Sequence, residues 1–122
     1  MVTEEHGLER FGHRFAGYIG SHVCKCLSVR GYHAVAYDNL SRGHRAAVKW
    51  GPLEVGDIED RNRLRAVIKD CQPAAVMHFA ALAYVGESVQ RPLFYYRNNV
   101  AGSVALLETL LEFRPVDRKS VV

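Results

Sequence analysis

The strongest constraint on this chain is a pair of glycines, Gly17 and Gly20, followed eighteen residues later by Asp38 at the end of a short apolar run. Beyond the pair, Ile19, Val23, Cys26 and Leu27 recur at helical spacing, and Gly31 supplies a stop. The pattern requires a turn into a helix over 19–30, then a strand, Ala34-Val35-Ala36-Tyr37, that ends at Asp38. Leu53-Glu54-Val55 reads as a second short strand leading into Gly56-Asp57-Ile58. Asp60 is placed to cap a helix through Asp70, with Leu64, Val67, Ile68 and Cys71 facing inward and Pro73 ending it. Ala75-Val76-Met77-His78-Phe79 is a continuous apolar run of the kind buried in a parallel sheet, with His78 expected as a satisfied core histidine. Pro92 opens a long helix that reaches to Pro115, with Val100, Val104, Leu107 and Leu111 as its expected core face.

Strand alternating with helix specifies an α/β chain: a Rossmann-type, doubly wound parallel sheet with right-handed crossovers. One strand is out of place. The segment Gly7-Leu8-Glu9-Arg10-Phe11-Gly12-His13 does not read as the apolar first strand that such a sheet puts before the glycine turn. Arg14 stands where the first glycine of a three-glycine turn belongs. The expectation is a partial sheet whose first strand is lost or garbled, with both neighbouring edges and an apolar face uncovered.

Composition narrows the function. A length of 122 residues is one domain or part of one, and 48% hydrophobic against 24% charged residues suits a soluble, folded chain. The net charge of +3 is scattered, so no basic face points to nucleic acid. No apolar run approaches the ~20 residues that cross a bilayer, and Glu4, Glu5 and His6 do not open a signal peptide. Three cysteines fit a reducing compartment, so the cytoplasm is expected. Cys24 and Cys26 lie two apart on a helix and point to different faces, which favours packing over metal ligation; no metal is expected.

The glycine pair lets a backbone approach a pyrophosphate, and the amides of Tyr18 and Ile19 then face it from a helix N-terminus. A carboxylate ending the next strand can accept both hydroxyls of an adenosine ribose, and its charge repels a 2′-phosphate. That reading favours NAD over NADP. Arg42 complicates it, because a nearby arginine is how NADP binders compensate. Taken alone, Asp38 would be a turn-former, with Asn39, Ser41 and Gly43 in support. Asp57 alone would be a cap. Asn98 and Asn99 are unusual within an apolar helix, and one of them is expected to face a ligand or a neighbouring loop.

The blocks Gly17-Tyr18-Ile19-Gly20-Ser21-His22, Tyr37-Asp38-Asn39-Leu40-Ser41, Gly56-Asp57-Ile58, His78-Phe79-Ala80-Ala81, Val85-Gly86-Glu87-Ser88 and Tyr95-Tyr96-Arg97-Asn98-Asn99-Val100 together resemble the UDP-glucose 4-epimerase family. The resemblance runs from Ala16 to Glu112. It implies NAD as cofactor, a UDP-hexose as substrate, epimerisation at C4 by oxidation and reduction, and a homodimer. By that likeness Gly17, Tyr18, Ile19 and Gly20 hold the pyrophosphate, while Asp38, Asn39, Leu40, Ser41 and Gly43 surround the adenosine. Asp57 and Ile58 would meet the adenine, Phe79, Ala80, Ala81 and Ala83 the nicotinamide side, and Asn98 the cofactor near the substrate. Ala83 departs from the lysine that many relatives carry there. The family's base is a tyrosine in Tyr-x-x-x-Lys. None of Tyr18, Tyr32, Tyr37, Tyr84, Tyr95 or Tyr96 has a lysine four residues on, so this chain alone is expected to be inactive. The rivals are another sugar-nucleotide epimerase or dehydratase of the same superfamily, and a non-catalytic nucleotide-binding module.

Both ends are expected to be non-native. Codons that encode Glu9 to Phe15 can be chosen so that a one-base shift gives Val-Leu-Val-Thr-Gly, the missing strand and glycine. Asp117 to Val122 matches a translated sequencing adapter. The expected division is therefore 1–15 aberrant, 16–113 a partial NAD-binding domain and 114–122 a tail. Genomic DNA that reproduces both ends in frame would refute it.

Overall fold

The computed structural model describes residues 10–13 and 16–113. Four parallel strands, β1 (Arg10–His13), β2 (Ala34–Asp38), β3 (Leu53–Val55) and β4 (Ala75–His78), form one sheet in the order β3-β2-β1-β4. The chain moves outward from β1 to β3, then crosses to the other side of β1 to lay down β4. That reversal makes a switch point between the carboxyl ends of β1 and β4.

The first strand is therefore not lost. Arg10–His13 occupies the centre of the sheet, with Arg10 opposite both Ala34 and Ala75 and His13 opposite Tyr37 and His78. The reading from side chains failed because pairing is a backbone matter. An extended segment between two parallel strands satisfies the N–H and C=O groups of both neighbours, whatever side chains it carries. The edges expected to lie bare on β2 and β4 are paired. Arg14 and the rest of the two termini lie outside the described residues.

Helices cover both faces. Between β1 and β2 runs α1 (Tyr18–Val29), between β3 and β4 runs α2 (Arg61–Cys71), and α3 (Val85–Gln90) follows β4. After α3 come α4 (Pro92–Tyr96), a π-helical turn over Arg97–Ala101 and α5 (Gly102–Glu112), with helical dihedrals maintained through both junctions. Strand β2 is buried throughout, and its alternation divides the core in two. Ala34 and Ala36 pack with Cys24 and Leu27 of α1, joined by Met77 and Phe79. Val35 and Tyr37 pack on the other side with Leu64, Val67 and Ile68 of α2, with Ile58 and Ala80, and with Leu106 of α5. Asp60 caps α2 as expected, its Oδ1 accepting the Arg63 amide at 3.0 Å. Arg61–Glu108 and Arg65–Glu112 ion pairs tie α2 to α5 at the surface.

Two expectations about the second half are corrected. The apolar stripe Val100, Val104, Leu107 and Leu111 is exposed, and α5 instead buries Gly102, Ala105, Leu106 and Thr109. The small residues win because they permit close approach: a Cβ on Gly102 would lie 2.6 Å from Cγ2 of Ile58. A side chain at position 102 would not fit that gap. Strand β4 is only half-buried and His78 is exposed, its Nε2 lying 3.0 Å from Ser103 Oγ on α5. Among the described residues β4 forms one edge of the sheet, so it lacks the two-sided cover of β2.

Candidate functional site

The glycine turn leads into α1 with Gly17 as its N-cap, in an extended conformation and with no side chain capping the first turn. A helix start without a side-chain acceptor has amide donors and a positive dipole end for an anion. Tyr18 and Ile19 follow with their side chains 80% and 64% exposed, while Gly20 is buried. Both side chains are exposed to solvent, so an anion at this helix start would meet the backbone amides of Tyr18 and Ile19.

Asp38 ends β2 beside this turn and is buried, at 1% exposure. Its Oδ2 accepts the Ala16 amide at 3.1 Å and its Oδ1 the Leu40 amide at 2.7 Å. The carboxylate is thus a staple between the glycine turn and the loop after β2, a role that spacing alone did not show. Each carboxylate oxygen retains a lone pair beyond these bonds, so the group can still accept ribose hydroxyls.

The loop closes tightly. Leu40 adopts a left-handed conformation, φ 58°, and Ser41 donates its amide to Asn39 Oδ1 at 3.0 Å. The His44 amide reaches the Ala16 carbonyl at 3.2 Å, and a Cβ at Gly43 would lie 2.6 Å from Ala16 backbone. Glycine is required there because the loop lies directly on the turn.

Asn39 also donates to Asp57 Oδ2 at 2.8 Å, and the Glu59 amide donates to Asp57 Oδ1 at 2.9 Å. Tyr37 donates its hydroxyl to the Asp57 carbonyl at 2.8 Å. Burial, reinforced by the Asp60 carboxylate, holds the Tyr37 hydroxyl well above its ordinary pKa, so it remains a donor. Asp57 is exposed, but Ile58 is at 1% exposure in the core, which leaves its backbone alone for any ligand.

Beyond β4, Phe79 packs against the α1 side of the sheet and Ala80 is fully buried, whereas Ala81 and Ala83 are exposed. Asn98 donates to the Ala80 carbonyl at 2.7 Å and to Asn99 Oδ1 at 2.8 Å. Asn99 takes the Leu82 amide at 2.7 Å and returns a bond to the Leu82 carbonyl at 2.9 Å, imitating a strand partner. Both asparagines brace the loop after β4. The sequence pointed to them as polar residues in an apolar helix, though not to Asn99 as the two-bond clamp.

A third element went unread. Glu87 of α3 receives Arg42 Nη2 on both oxygens, at 2.7 and 2.5 Å, and the Tyr95 hydroxyl at 2.9 Å. The Tyr95 hydrogen bond and then the Arg42 guanidinium hold the Glu87 carboxyl below its usual range. Arg42 also sits over the Tyr84 ring, 5.2 Å from its centroid. Its signal was the Glu in Val85-Gly86-Glu87-Ser88, which resemblance alone did not assign.

The structure brings the predicted residues into two groups: the turn at Gly17, Tyr18, Ile19 and Gly20 with Asp38 to Gly43 over it and Asp57 beside that loop, and Phe79 to Ala83 after β4, tied to Asn98. Two open surface concavities, of about 330 and 260 Å³, lie elsewhere and include none of these residues. Among the described residues no group of His, Cys, Asp and Glu could hold a metal, and no helix is long and apolar enough to cross a membrane. Cys24 is buried, which pushes its thiol up to about 11, while Cys26 is exposed on the other side of α1.

Residues 15–121 match the model of the NAD dependent epimerase/dehydratase family. The chain belongs to this family. It is 56% identical over 92 residues to a UDP-glucose 4-epimerase of Rhizobium leguminosarum bv. trifolii, covering 75% of this chain and 28% of that protein. A second UDP-glucose 4-epimerase, from Rhizobium meliloti (strain 1021), is 55% identical over 96 residues, with 79% of this chain and 29% of the relative covered. Among solved structures, UDP-glucose 4-epimerase from Brucella ovis in complex with NAD superimposes with a TM-score of 0.86 at 49% identity, covering 88% of this chain and 33% of that one. The chain therefore spans under a third of the length of these relatives.

Proposed function

We propose that this chain is the dinucleotide-holding part of a UDP-glucose 4-epimerase, with NAD bound across the switch point between β1 and β4. One observation carries the reading: the uncapped N-terminus of α1 stands directly against the buried Asp38 carboxylate, the two linked through the Ala16 amide. The donor set fits the cofactor. Amides at Gly17 to Gly20 supply an anion cradle, and Asp38 has acceptor capacity left for ribose hydroxyls. Bound there, NAD would supply a reversible hydride acceptor for C4 of a UDP-hexose.

The residues of this chain then divide the work. Gly17, Tyr18, Ile19 and Gly20 hold the pyrophosphate through backbone. Asp38, Asn39, Leu40, Ser41 and Gly43 enclose the adenosine, and Asp57 with the Ile58 backbone meets the adenine edge. Phe79, Ala80, Ala81 and Ala83 form the nicotinamide side, and Asn98 keeps that loop in place through the Ala80 carbonyl. No catalytic base is assigned to this chain, since no tyrosine in it has the lysine partner. The exposed stripe of Val100 on the π-helical turn and Val104, Leu107 and Leu111 on α5 is the surface on which two copies pair, an apolar face of the kind that marks an interface. The three cysteines, an odd number, support a reducing compartment, the cytoplasm, as its location.

Titrating the purified chain with NADH, read as cofactor fluorescence, tests the reading. Saturable binding that Asp38→Ala abolishes is expected. A wild-type chain that is folded by circular dichroism yet binds no NADH would sink it.

A further inference from the structure

We propose that Glu87 is a specificity-determining residue that enforces NAD over NADP by keeping Arg42 occupied. The inference rests on the dinucleotide site proposed above. Arg42 is four residues past Asp38, in the loop that lies on the glycine turn. An arginine in this place is the group that would neutralise a 2′-phosphate on the adenosine ribose. Here its guanidinium is delivered to Glu87. Both Glu87 oxygens accept Nη2, at 2.7 and 2.5 Å, and the Tyr84 ring underlies the guanidinium at 5.2 Å.

Glu87 is itself held in readiness. The Tyr95 hydroxyl donates to Oε2 at 2.9 Å, and Arg91 stands 3.8 Å from Oε1. Tyr95 is buried as a residue, which limits the movement of the hydroxyl that it presents to Glu87. The acceptor is therefore pre-positioned, and Arg42 has its charge and its Nη2 committed to it. Two carboxylates then discriminate in concert. Asp38 repels the extra phosphate directly, and Glu87 withdraws the cation that would offset the repulsion.

A brace without a selective role would act on both dinucleotides alike, so the ratio of their dissociation constants is the readout. NADH and NADPH titrations of the full chain compare wild type, Glu87→Gln, Arg42→Ala and the double variant. Glu87→Gln preserves an acceptor for Tyr95 while removing the charge that binds Arg42. It should improve NADPH binding relative to NADH roughly tenfold, about what one released charge-assisted contact contributes. The double variant should return to the wild-type ratio. Arg42→Ala alone should leave the ratio unchanged, because Arg42 is not available to the phosphate in the wild type. Equal weakening of both dinucleotides in Glu87→Gln overturns the proposal, as does an Arg42→Ala variant that selectively loses NADPH. A wild-type chain that binds neither dinucleotide overturns the site itself, a result distinct from an unchanged ratio.

Discussion

Replacing Asp38 by asparagine probes the staple at the centre of the site with almost no change of shape. The side chain is 1% exposed and accepts two backbone amides, Ala16 at 3.1 Å and Leu40 at 2.7 Å. An asparagine amide has one accepting oxygen, so one of those buried N–H groups must face another donor. The shorter Leu40 bond should retain the oxygen, leaving the Ala16 amide opposed by an NH₂. A buried donor without an acceptor costs about 1–3 kcal/mol, and the surviving bond loses its charge assistance, so about 2–3 kcal/mol in all is expected. With about 2.1 cal/mol/K of unfolding entropy per residue, that lowers Tm by roughly 8–12 °C for a chain of this length. Urea unfolding followed by circular dichroism at 222 nm measures it, and the loss should appear as a lower midpoint at constant slope. NADH affinity should fall as well, because the disturbed amide belongs to the glycine turn. An Asp38→Asn variant within about 0.5 kcal/mol of wild type would show that the two bonds contribute nothing and that the staple is wrongly read.

The two faces of α5 should separate on truncation. Leu106→Ala, in the core with Ile58 and Leu64, should cost about 2–4 kcal/mol, and Leu107→Ala, 47% exposed, less than about 0.5 kcal/mol in monomer stability, both read from urea midpoints. Gly43→Ala pushes a Cβ into the Ala16 backbone and should raise the Kd for NADH severalfold while far-ultraviolet dichroism stays native. Acid sensitivity follows from Glu87 and Glu112, whose carboxyls sit below their ordinary values through Tyr95 with Arg42 and through Arg65 respectively. A lowered folded value means that the unfolded chain binds protons first. Their contribution is therefore complete above the ordinary glutamate range and lost as pH falls through the folded values. Urea midpoints between about pH 6 and pH 3 should fall less steeply for Glu87→Gln than for wild type, and parallel profiles would argue against the pairing.

What could be read beforehand was whatever leaves a trace in local pattern. The helix after Gly17, the Asp60 cap and the strand ending at Asp38 each follow from spacing and from one residue's chemistry. The α5 face was misread because hydropathy favours the larger side chains, whereas close packing against Ile58 selected Gly102 and turned Leu106 into the core. Strand β1 was missed because its place is set by backbone pairing with β2 and β4, which its side chains do not advertise. In the site, Asp38 was found by its place at the strand end, but its partners Ala16 and Leu40 are amides that no side-chain motif records. The Arg42–Glu87 contact joins segments far apart in the chain, and only the fold reveals that they meet.

The sheet order has a consequence for how the molecule is made. Strand β1 is the earliest of the described strands, yet its partners arrive only with Ala34 and then Ala75. During synthesis β1 gains its first partner only once α1 and β2 have left the ribosome, and its second only once β3, α2 and β4 have followed. Every pairing in the sheet is parallel and non-local, which makes closure slow and leaves the waiting strand open to pairing with other chains. Yield on expression should accordingly be governed less by the stability of the finished sheet than by how long its middle stays open.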